Sequence, residues 1–390
     1  MNKTKLIIVL VGLLDVMGIW FVIPTLPDLV KLYWVSDHLI SYWITVYAFC
    51  AFMAWPLLWQ LSDIFWRKII LLICVIGSFL SSIVIAATPY YLFFLLGRMI
   101  NGITGWNISI LQAIISDISK TPQERKVNMW LIGSIFGIWF IIWPLMWWML
   151  LRFWALTPYW WMVILSFIEI LVITFAYKET NENMVSKIIK YNPLWRIFKY
   201  LKKPEINLYL ISMLLILTSF WVYQWVLPLF LSKSYNFSWE QSWYLMAWFG
   251  ITMIFNQVLL LKRFWLKRFS LNQLLYIINI WLIIFFILIA TTKNLVLFLS
   301  YFFILVSIQT VVAPVYNWEI IEHTDIHSRW EIMWVLSSLQ SLSMFIWPLL
   351  WWYLLALNLS IFDFSAALIF ISFLLIIKIV NSSKTSTINS

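Results

Sequence analysis

Two charged residues lie inside apolar stretches long enough to cross a membrane. Asp15 interrupts the run 6–29, and Arg98 lies within the run 90–116. A carboxylate at the middle of a bilayer costs at least about 2.5–3.5 kcal/mol, so such a residue usually faces a water-filled cavity or a partner. Asp15 is therefore predicted to bind protons or attract cations; the alternative is a buried carboxylate satisfied by neighbouring hydroxyls and amides. Arg98 would favour the charged form of a nearby carboxylate, or it would snorkel to an interface.

The elements that carry these charges belong to a very apolar chain. Of its 390 residues, 64% are hydrophobic and 11% are charged, whereas soluble domains are roughly 45–50% apolar. Twelve apolar segments approach or exceed the ~20 residues that cross a bilayer. The predicted spans are 6–29, 42–59, 69–87, 90–116, 127–150, 158–177, 206–231, 240–261, 270–290, 295–317, 330–354 and 360–379.

The basic residues gather on one side of these spans. With a cytoplasmic N-terminus, most of the 26 Lys and Arg fall on the cytoplasmic side, and only Lys31, Arg152, Lys233 and Lys293 fall opposite. This bias predicts that both termini are cytoplasmic. It also accounts for the net charge of +10 without a nucleic-acid partner.

The polar stretch 178–205 divides the spans into six and six. The predicted organisation of this all-α membrane protein is an N-terminal six-helix bundle at 1–180, a cytoplasmic linker at 181–205, a C-terminal six-helix bundle at 206–380 and a polar tail at 381–390. The segments IIWPLMWWML and FIWPLLWWYL occupy the same place in the fifth and eleventh spans. A repeated six-span half is typical of secondary transporters.

Tryptophan is abundant where glycine is expected. The chain has 29 Trp and 9 Gly, although average usage of about 7% Gly would give ~27. Trp139, Trp143 and Trp147 follow Gly137 at intervals of two or four residues, on a face where membrane helices carry small residues so that backbones approach closely. Our hypothesis is that many tryptophans are glycines in the cell, in an organism that reads UGA as glycine. Trp34, near a span end, fits an ordinary interfacial tryptophan.

With glycine at those positions, several segments resemble the major facilitator superfamily. WQLSDIFWRKIILL at 59–72 resembles its signature loop between the second and third spans, and IFGIWFIIWPLMWW at 135–148 resembles its fifth-span antiporter motif. The segments 13–29, 97–125 and 329–352 resemble drug:proton antiporters of the tetracycline-resistance type.

The resemblance implies a fold of two pseudo-symmetric six-helix bundles and a role for Asp15 and Arg98 in proton coupling. It implies a cytoplasmic gate in which Arg67 pairs with an acid such as Asp117 and Asp63 sits at a helix N-terminus, where the dipole favours it. The gate residues are Asp63, Arg67, Lys68, Asp117 and Arg329. Glycine at position 66 would allow a turn with positive φ. The antiporter-motif helix comprises Gly137, Trp139, Trp143, Pro144, Trp147 and Trp148.

Further polar residues within the spans are candidates for lining a substrate cavity, with packing bonds between helices as the alternative. They are Asn101, Asn107, Gln112, Tyr223, Gln224, Asn256, Gln257, Gln309, Asn317 and Gln340. Glu169 in the sixth span either lines the cavity or is a paired or snorkelling residue. Tetracycline exporters carry a histidine in the eighth span and an acid in the ninth. This sequence has neither within 240–261 or 270–290, apart from Glu240 at an entrance, so tetracycline itself is not the expected substrate.

The predicted function is export of small lipophilic or drug-like molecules in exchange for protons, by alternating access. The predicted partners are substrate, protons and lipid, the protein is a monomer of the cytoplasmic membrane, and no cofactor or metal is expected beyond the proton gradient. An importer of a sugar, amino acid or other metabolite is the alternative among transporters. A membrane-embedded transferase is the alternative among enzymes, but only the loop 178–205 is long enough to hold catalytic residues.

Overall fold

The computed structural model describes most of the chain as helices. It covers residues 3–20, 29–35, 37–105, 107–119, 121, 124, 128, 156–181, 193–204, 206–237, 239–324, 329–356 and 360–388. The chain forms two compact units, residues 1–191 and 192–390. The division between them falls inside the polar stretch at 178–205.

The first unit contains six helices in the described ranges. They are α1 (Lys3–Trp20), α2 (Asp37–Ile64), α3 (Arg67–Ala87), α4 (Tyr91–Thr104), α5 (Ile108–Ile118) and α6 (Thr157–Ala176). Helix α3 packs against α4 and α6, α2 packs against α4, and α1 packs against α5 and α6. The predicted fifth span, with its antiporter motif, lies outside the described residues except at position 128.

The predicted fourth span at 90–116 is two helices, α4 and α5, rather than one. The backbone N–H of Gly105 donates to the carbonyl of Asn101 at 2.6 Å, and Gly105 itself is extended at ψ 176°. A Cβ atom at position 105 would lie only 2.5 Å from the Asn101 carbonyl oxygen, so the bend requires glycine. Helix α5 then begins inside the unit, directly after Asn107.

The second unit contains seven long or medium helices among the residues described. They are α7 (Pro193–Leu201), α8 (Asn207–Tyr235), α9 (Trp239–Phe255), α10 (Leu271–Thr291), α11 (Leu295–Glu322), α12 (Arg329–Ala356) and α13 (Ile361–Ile388). Helix α8 packs against α12 and α13, and α10 packs against α11 and α13. Helix α13 continues beyond the predicted boundary at residue 380.

Two segments of the second unit contain helices that the sequence did not predict. The linker contains α7, because Ile197 and Tyr200 bury one side of an amphipathic turn. Helix α9 continues into a π-helix at Asn256–Trp265. The Asn256 side chain donates to the carbonyl of Ser307 and accepts from the Trp265 indole N–H at 2.9 Å, which ties the wide helical turns together. A π-helix of this kind often marks a functional segment.

Six helices of the described chain are long and apolar enough to cross a membrane. They are Arg67–Ala87, Thr157–Ala176, Asn207–Gln224, Leu271–Thr291, Leu295–Glu322 and Ile361–Ile379. Three shorter apolar helices, Tyr42–Ala54, Tyr91–Thr104 and Val335–Trp347, accompany them. The prediction of an all-α membrane protein is confirmed.

A buried polar cluster joins four helices of the second unit. The hydroxyl of Ser212 lies 2.8 Å from that of Tyr316 and 2.6 Å from that of Ser372. The Asn279 amide donates to Tyr316 at 2.9 Å and accepts from Ser372 at 2.7 Å. Ser212, Asn279, Tyr316 and Ser372 are each 0% exposed. This closed set of hydrogen bonds fixes the register of α8, α10, α11 and α13 in an apolar interior.

Candidate functional site

Asp15 is buried in the first unit and is held by Asn107. The carboxylate lies about 18 Å along α1 from Lys3 and is 9% exposed. Its Oδ2 accepts from the backbone N–H of Asn107 at 2.5 Å, and its Oδ1 accepts from the Asn107 side-chain amide at 3.1 Å. The bend at Gly105 creates this arrangement, because it places the positive end of the α5 dipole beside the carboxylate.

The Asp15–Asn107 contact fits both predictions for Asp15: a buried carboxylate satisfied by a neighbouring amide, and a carboxylate that binds protons. Two N–H donors stabilise the charged carboxylate and reduce its desolvation cost. A proton bound to Asp15 would remove the charge and turn one carboxylate oxygen into a hydroxyl, which is a donor and a much weaker acceptor for the N–H groups of Asn107. The contact between α1 and the start of α5 therefore depends on protonation.

Arg98 is fully buried on α4, so it does not snorkel to an interface. Its side chain is 2% exposed. The guanidinium carbon lies 5.9 Å from the ring centroid of Phe94 and 5.8 Å from that of Tyr159, distances at which aromatic faces attract a cation. Tyr47 and Tyr33 are its further electrostatic neighbours. Tyr47 also interacts electrostatically with Asp15, so it is a neighbour of both charges that the sequence singled out.

Glu169 is a second buried carboxylate in the same unit. It lies on α6 and is 3% exposed, which excludes the snorkelling alternative. Its Oε1 has no hydrogen-bond partner among the described residues. Asp15 is an electrostatic neighbour of Glu169, as is Cys74 on α3. The sequence identified Glu169 as an acid within a span, but it gave no sign that Asp15 lies nearby.

Two of the predicted gate residues, Arg67 and Asp117, meet where α2 ends and α3 begins. Arg67 is 6% exposed, and its Nε donates to Asp117 Oδ2 at 3.0 Å. Its Nη1 donates to the hydroxyl of Ser62 at 2.8 Å. Lys68 donates from its backbone N–H to Glu179 Oε2 at 2.9 Å. Ser62 and Glu179 were missed, because neither contact follows from spacing along the chain.

Two expectations about this loop are wrong. Asp63 belongs to the last turn of α2, not to the start of a helix, so the helix dipole does not favour it there; its side chain lies outside the described residues. Trp66 is extended, with φ −66° and ψ 132°, so this turn does not require the positive φ that glycine would allow.

The second unit has its own ion pair at the predicted cytoplasmic end of the eleventh span. Glu331 Oε2 accepts from Lys199 Nζ at 2.8 Å and from the Tyr200 hydroxyl at 2.8 Å. Glu331 was missed, although an acid in the first turn of α12 is a recognisable signal. The side chain of Arg329, the predicted gate residue, lies outside the described residues.

The cavity candidates are distributed between the two units. In the second unit, the Tyr223 hydroxyl donates to Gln309 Oε1 at 3.0 Å, so these two predicted residues meet. Gln224 is also buried, and Asn256 is engaged by the π-helix contacts. In the first unit, Asn101 reaches Ser78 at 3.5 Å. Gln112, Asn317 and Gln340 are half-buried, and the Gln257 side chain lies outside the described residues.

Trp34 has a backbone conformation that favours glycine. Its backbone is left-handed at φ 53°, and the residue is 94% exposed. Bulky residues rarely adopt this conformation, whereas glycine does so without strain. The ladder at Trp139, Trp143, Pro144, Trp147 and Trp148 lies outside the described residues, so its reading as glycine stays a prediction.

The chain shares partial sequence similarity with tetracycline resistance proteins. It is 29% identical over 184 residues to the class B protein of Escherichia coli, which covers 46% of both chains. It is 31% identical over 150 residues to the class H protein of Pasteurella multocida, which covers 37% of both. The matches thus span less than half the length of these relatives.

Solved transporters share the fold over nearly the whole chain. The human organic anion transporter MFSD10 (TETRAN) has a TM-score of 0.74 at 20% identity, covering 96% of this chain and 99% of that one. A D-xylose-proton symporter also has a TM-score of 0.74, at 14% identity, covering 96% of both chains. The sequence pattern of the Major Facilitator Superfamily matches residues 8–348. The chain therefore belongs to the Major Facilitator Superfamily, and it is a membrane transporter rather than an enzyme.

Proposed function

We propose that this transporter exports small lipophilic or drug-like molecules in exchange for protons, by alternating access. The observation that carries the proposal is the Asp15–Asn107 contact, in which a buried carboxylate is bonded to the start of α5. A proton that binds Asp15 weakens this contact, so protonation and the packing of α1 on α5 are linked. Coupled transport requires such a link, because a ligand shifts a conformational equilibrium only through unequal affinity for the two states.

The direction and the substrate class draw on similarity. The partial relatives are named for tetracycline resistance, and the segment 135–148 resembles the antiporter motif. Tetracycline itself is not proposed, because the eighth and ninth predicted spans lack the histidine and acid that such exporters carry. The protein would act as a monomer in the cytoplasmic membrane with both termini inside, driven by the proton gradient without a cofactor.

The test measures accumulation of a panel of fluorescent lipophilic dyes and labelled metabolites in cells that produce the protein. Export predicts lower dye accumulation than in control cells, and a protonophore should abolish the difference. The Asp15→Asn variant should accumulate dye like control cells, whereas Asp15→Glu should retain part of the export. Proton-dependent uptake of a sugar, amino acid or nucleoside, with dye levels unchanged, would replace the proposal with an importer.

A further inference from the structure

We propose that Glu169 is a second proton-carrying residue of the transport cycle, which holds a proton while Asp15 is charged. Its role in transport rests on the proposed proton coupling, but its protonation can be tested without any substrate. Glu169 lies on α6, near the middle of a helix long enough to cross the membrane. Its side chain is 3% exposed, so it is not an interfacial acid.

The hydrogen bonds of the two carboxylates differ. Asp15 accepts from both N–H groups of Asn107 and faces the positive end of α5. Glu169 Oε1 is buried and has no partner within the described parts of the chain. A charged carboxylate without donors is far costlier to bury than a neutral acid. The donors therefore favour a charge on Asp15 and a proton on Glu169.

The packing of α6 brings Asp15 and Glu169 close enough to interact electrostatically. Helix α6 packs against α1, which carries Asp15, and against α3, which carries Cys74, Arg67 and Lys68. Asp15 and Cys74 are electrostatic neighbours of Glu169, while Lys68 reaches the far end of α6 at the carbonyl of Thr174. Two like charges close together in an apolar interior disfavour simultaneous ionisation. A single proton held by the pair of Asp15 and Glu169 avoids this repulsion.

This asymmetry gives the pair a definite proton-transfer step. In the proposed resting state, the pair carries one proton and one negative charge. When the Asp15–Asn107 contact breaks, Asp15 loses both N–H donors of Asn107. The O–H bond of Glu169 can then break as its proton forms an O–H bond on Asp15, which moves the charge to Glu169 and conserves the total charge. A glutamine at position 169 cannot release this proton.

The first test is infrared spectroscopy of the purified protein at neutral pH, which needs no substrate. The C=O stretch of a protonated carboxylic acid should be present in the wild type, lost in Glu169→Gln and retained in Asp15→Asn. Glu169→Asp should keep a shifted band. A wild type without the band, or a band that disappears in Asp15→Asn and persists in Glu169→Gln, would overturn the assignment.

The second test separates proton coupling from substrate binding in proteoliposomes. Glu169→Gln should lose substrate accumulation driven by a pH gradient but retain exchange of labelled for unlabelled substrate. Glu169→Asp should recover gradient-driven accumulation. Ser166→Ala is the matched control, because Ser166 is equally buried one turn earlier on α6, and it should keep both activities. Undiminished accumulation in a folded Glu169→Gln protein would refute the role of Glu169 in proton coupling. The role would also be refuted if both Glu169→Gln and Glu169→Asp lost substrate exchange as well as gradient-driven accumulation.

If no compound of the panel is transported by the wild type, the export proposal fails, and the infrared band still decides which residue holds the proton.

Discussion

Replacing Asp117 with alanine should open the loop between α2 and α3. The Arg67 side chain donates from Nε to Asp117 at 3.0 Å and from Nη1 to Ser62 at 2.8 Å. The Arg67 side chain is 7% exposed and that of Asp117 is 22% exposed. The substitution leaves the Ser62 contact intact but removes a carboxylate that pairs with a nearly buried guanidinium.

The magnitude follows from these exposures. Breaking a fully buried pair costs roughly 3–5 kcal/mol, and a hydrogen bond to a charged group contributes about 1.5–3 kcal/mol. Because water reaches Asp117 and can partly solvate Arg67 after the substitution, we expect the free energy of opening the loop to fall by about 2 kcal/mol, within the range for a hydrogen bond to a charged group. Because 1.4 kcal/mol corresponds to a factor of ten, the open population of the loop should rise ~30-fold.

Hydrogen exchange measures this opening directly. The backbone N–H group of Phe65 donates to Leu61 at the end of α2, and those of Ile69 and Ile70 donate to Trp66 in the loop, so their exchange should accelerate by a similar factor. Arg67→Lys should give a smaller effect, and Lys267→Ala, at an exposed site in the second unit, should leave these amides unchanged. Unaltered exchange at the three amides in Asp117→Ala, or equal acceleration throughout both units, would refute the reasoning.

Three further predictions concern the backbone, the core and the genetic code. Trp34→Gly should raise the stability of the protein by about 1–2 kcal/mol, since it relieves a left-handed residue, and thermal unfolding would show a higher Tm; a lower Tm would contradict this. Asn279→Ala should lower the stability by about 1–3 kcal/mol, because Tyr316 and Ser372 each lose a buried hydrogen bond and keep the one to Ser212; the exposed Ser300→Ala is the control, and equal Tm values for both would refute the role of this polar cluster. Peptides from the native protein that span positions 139–148 should have the masses of glycine at 143, 147 and 148; tryptophan masses there would end the recoding hypothesis.

The sequence predicted the fold class well, because apolar runs of bilayer length report spans without tertiary information. It failed at the fourth span, which was predicted as one span over 90–116, whereas one helix ends before Gly105 and the next begins after Asn107. Counting apolar residues over the whole run does not show where the backbone bends within it. Missing this bend also meant missing a contact of the candidate site, because the bend places the start of α5, which binds Asp15.

Single charges within spans were visible in the sequence, whereas their relations were not. Asp15, Arg98 and Glu169 each appear as a costly residue in an apolar run. That Tyr47 is a neighbour of the first two, and that Glu169 is a neighbour of Asp15, depends on how α1, α2, α4 and α6 pack. The contact of Glu331 with Lys199 was likewise hidden, because no helix was predicted within the linker, where the structure has α7.

The most direct test of proton-coupled export is substrate-driven proton movement in proteoliposomes that contain the purified protein. Addition of an exported compound should move protons in the opposite direction through the wild type, and Asp15→Asn should abolish that movement while the protein remains folded. Asn107→Ala, which keeps the backbone N–H but removes the side-chain donor, should weaken the coupling without abolishing it. Undiminished proton movement in Asp15→Asn would contradict the account.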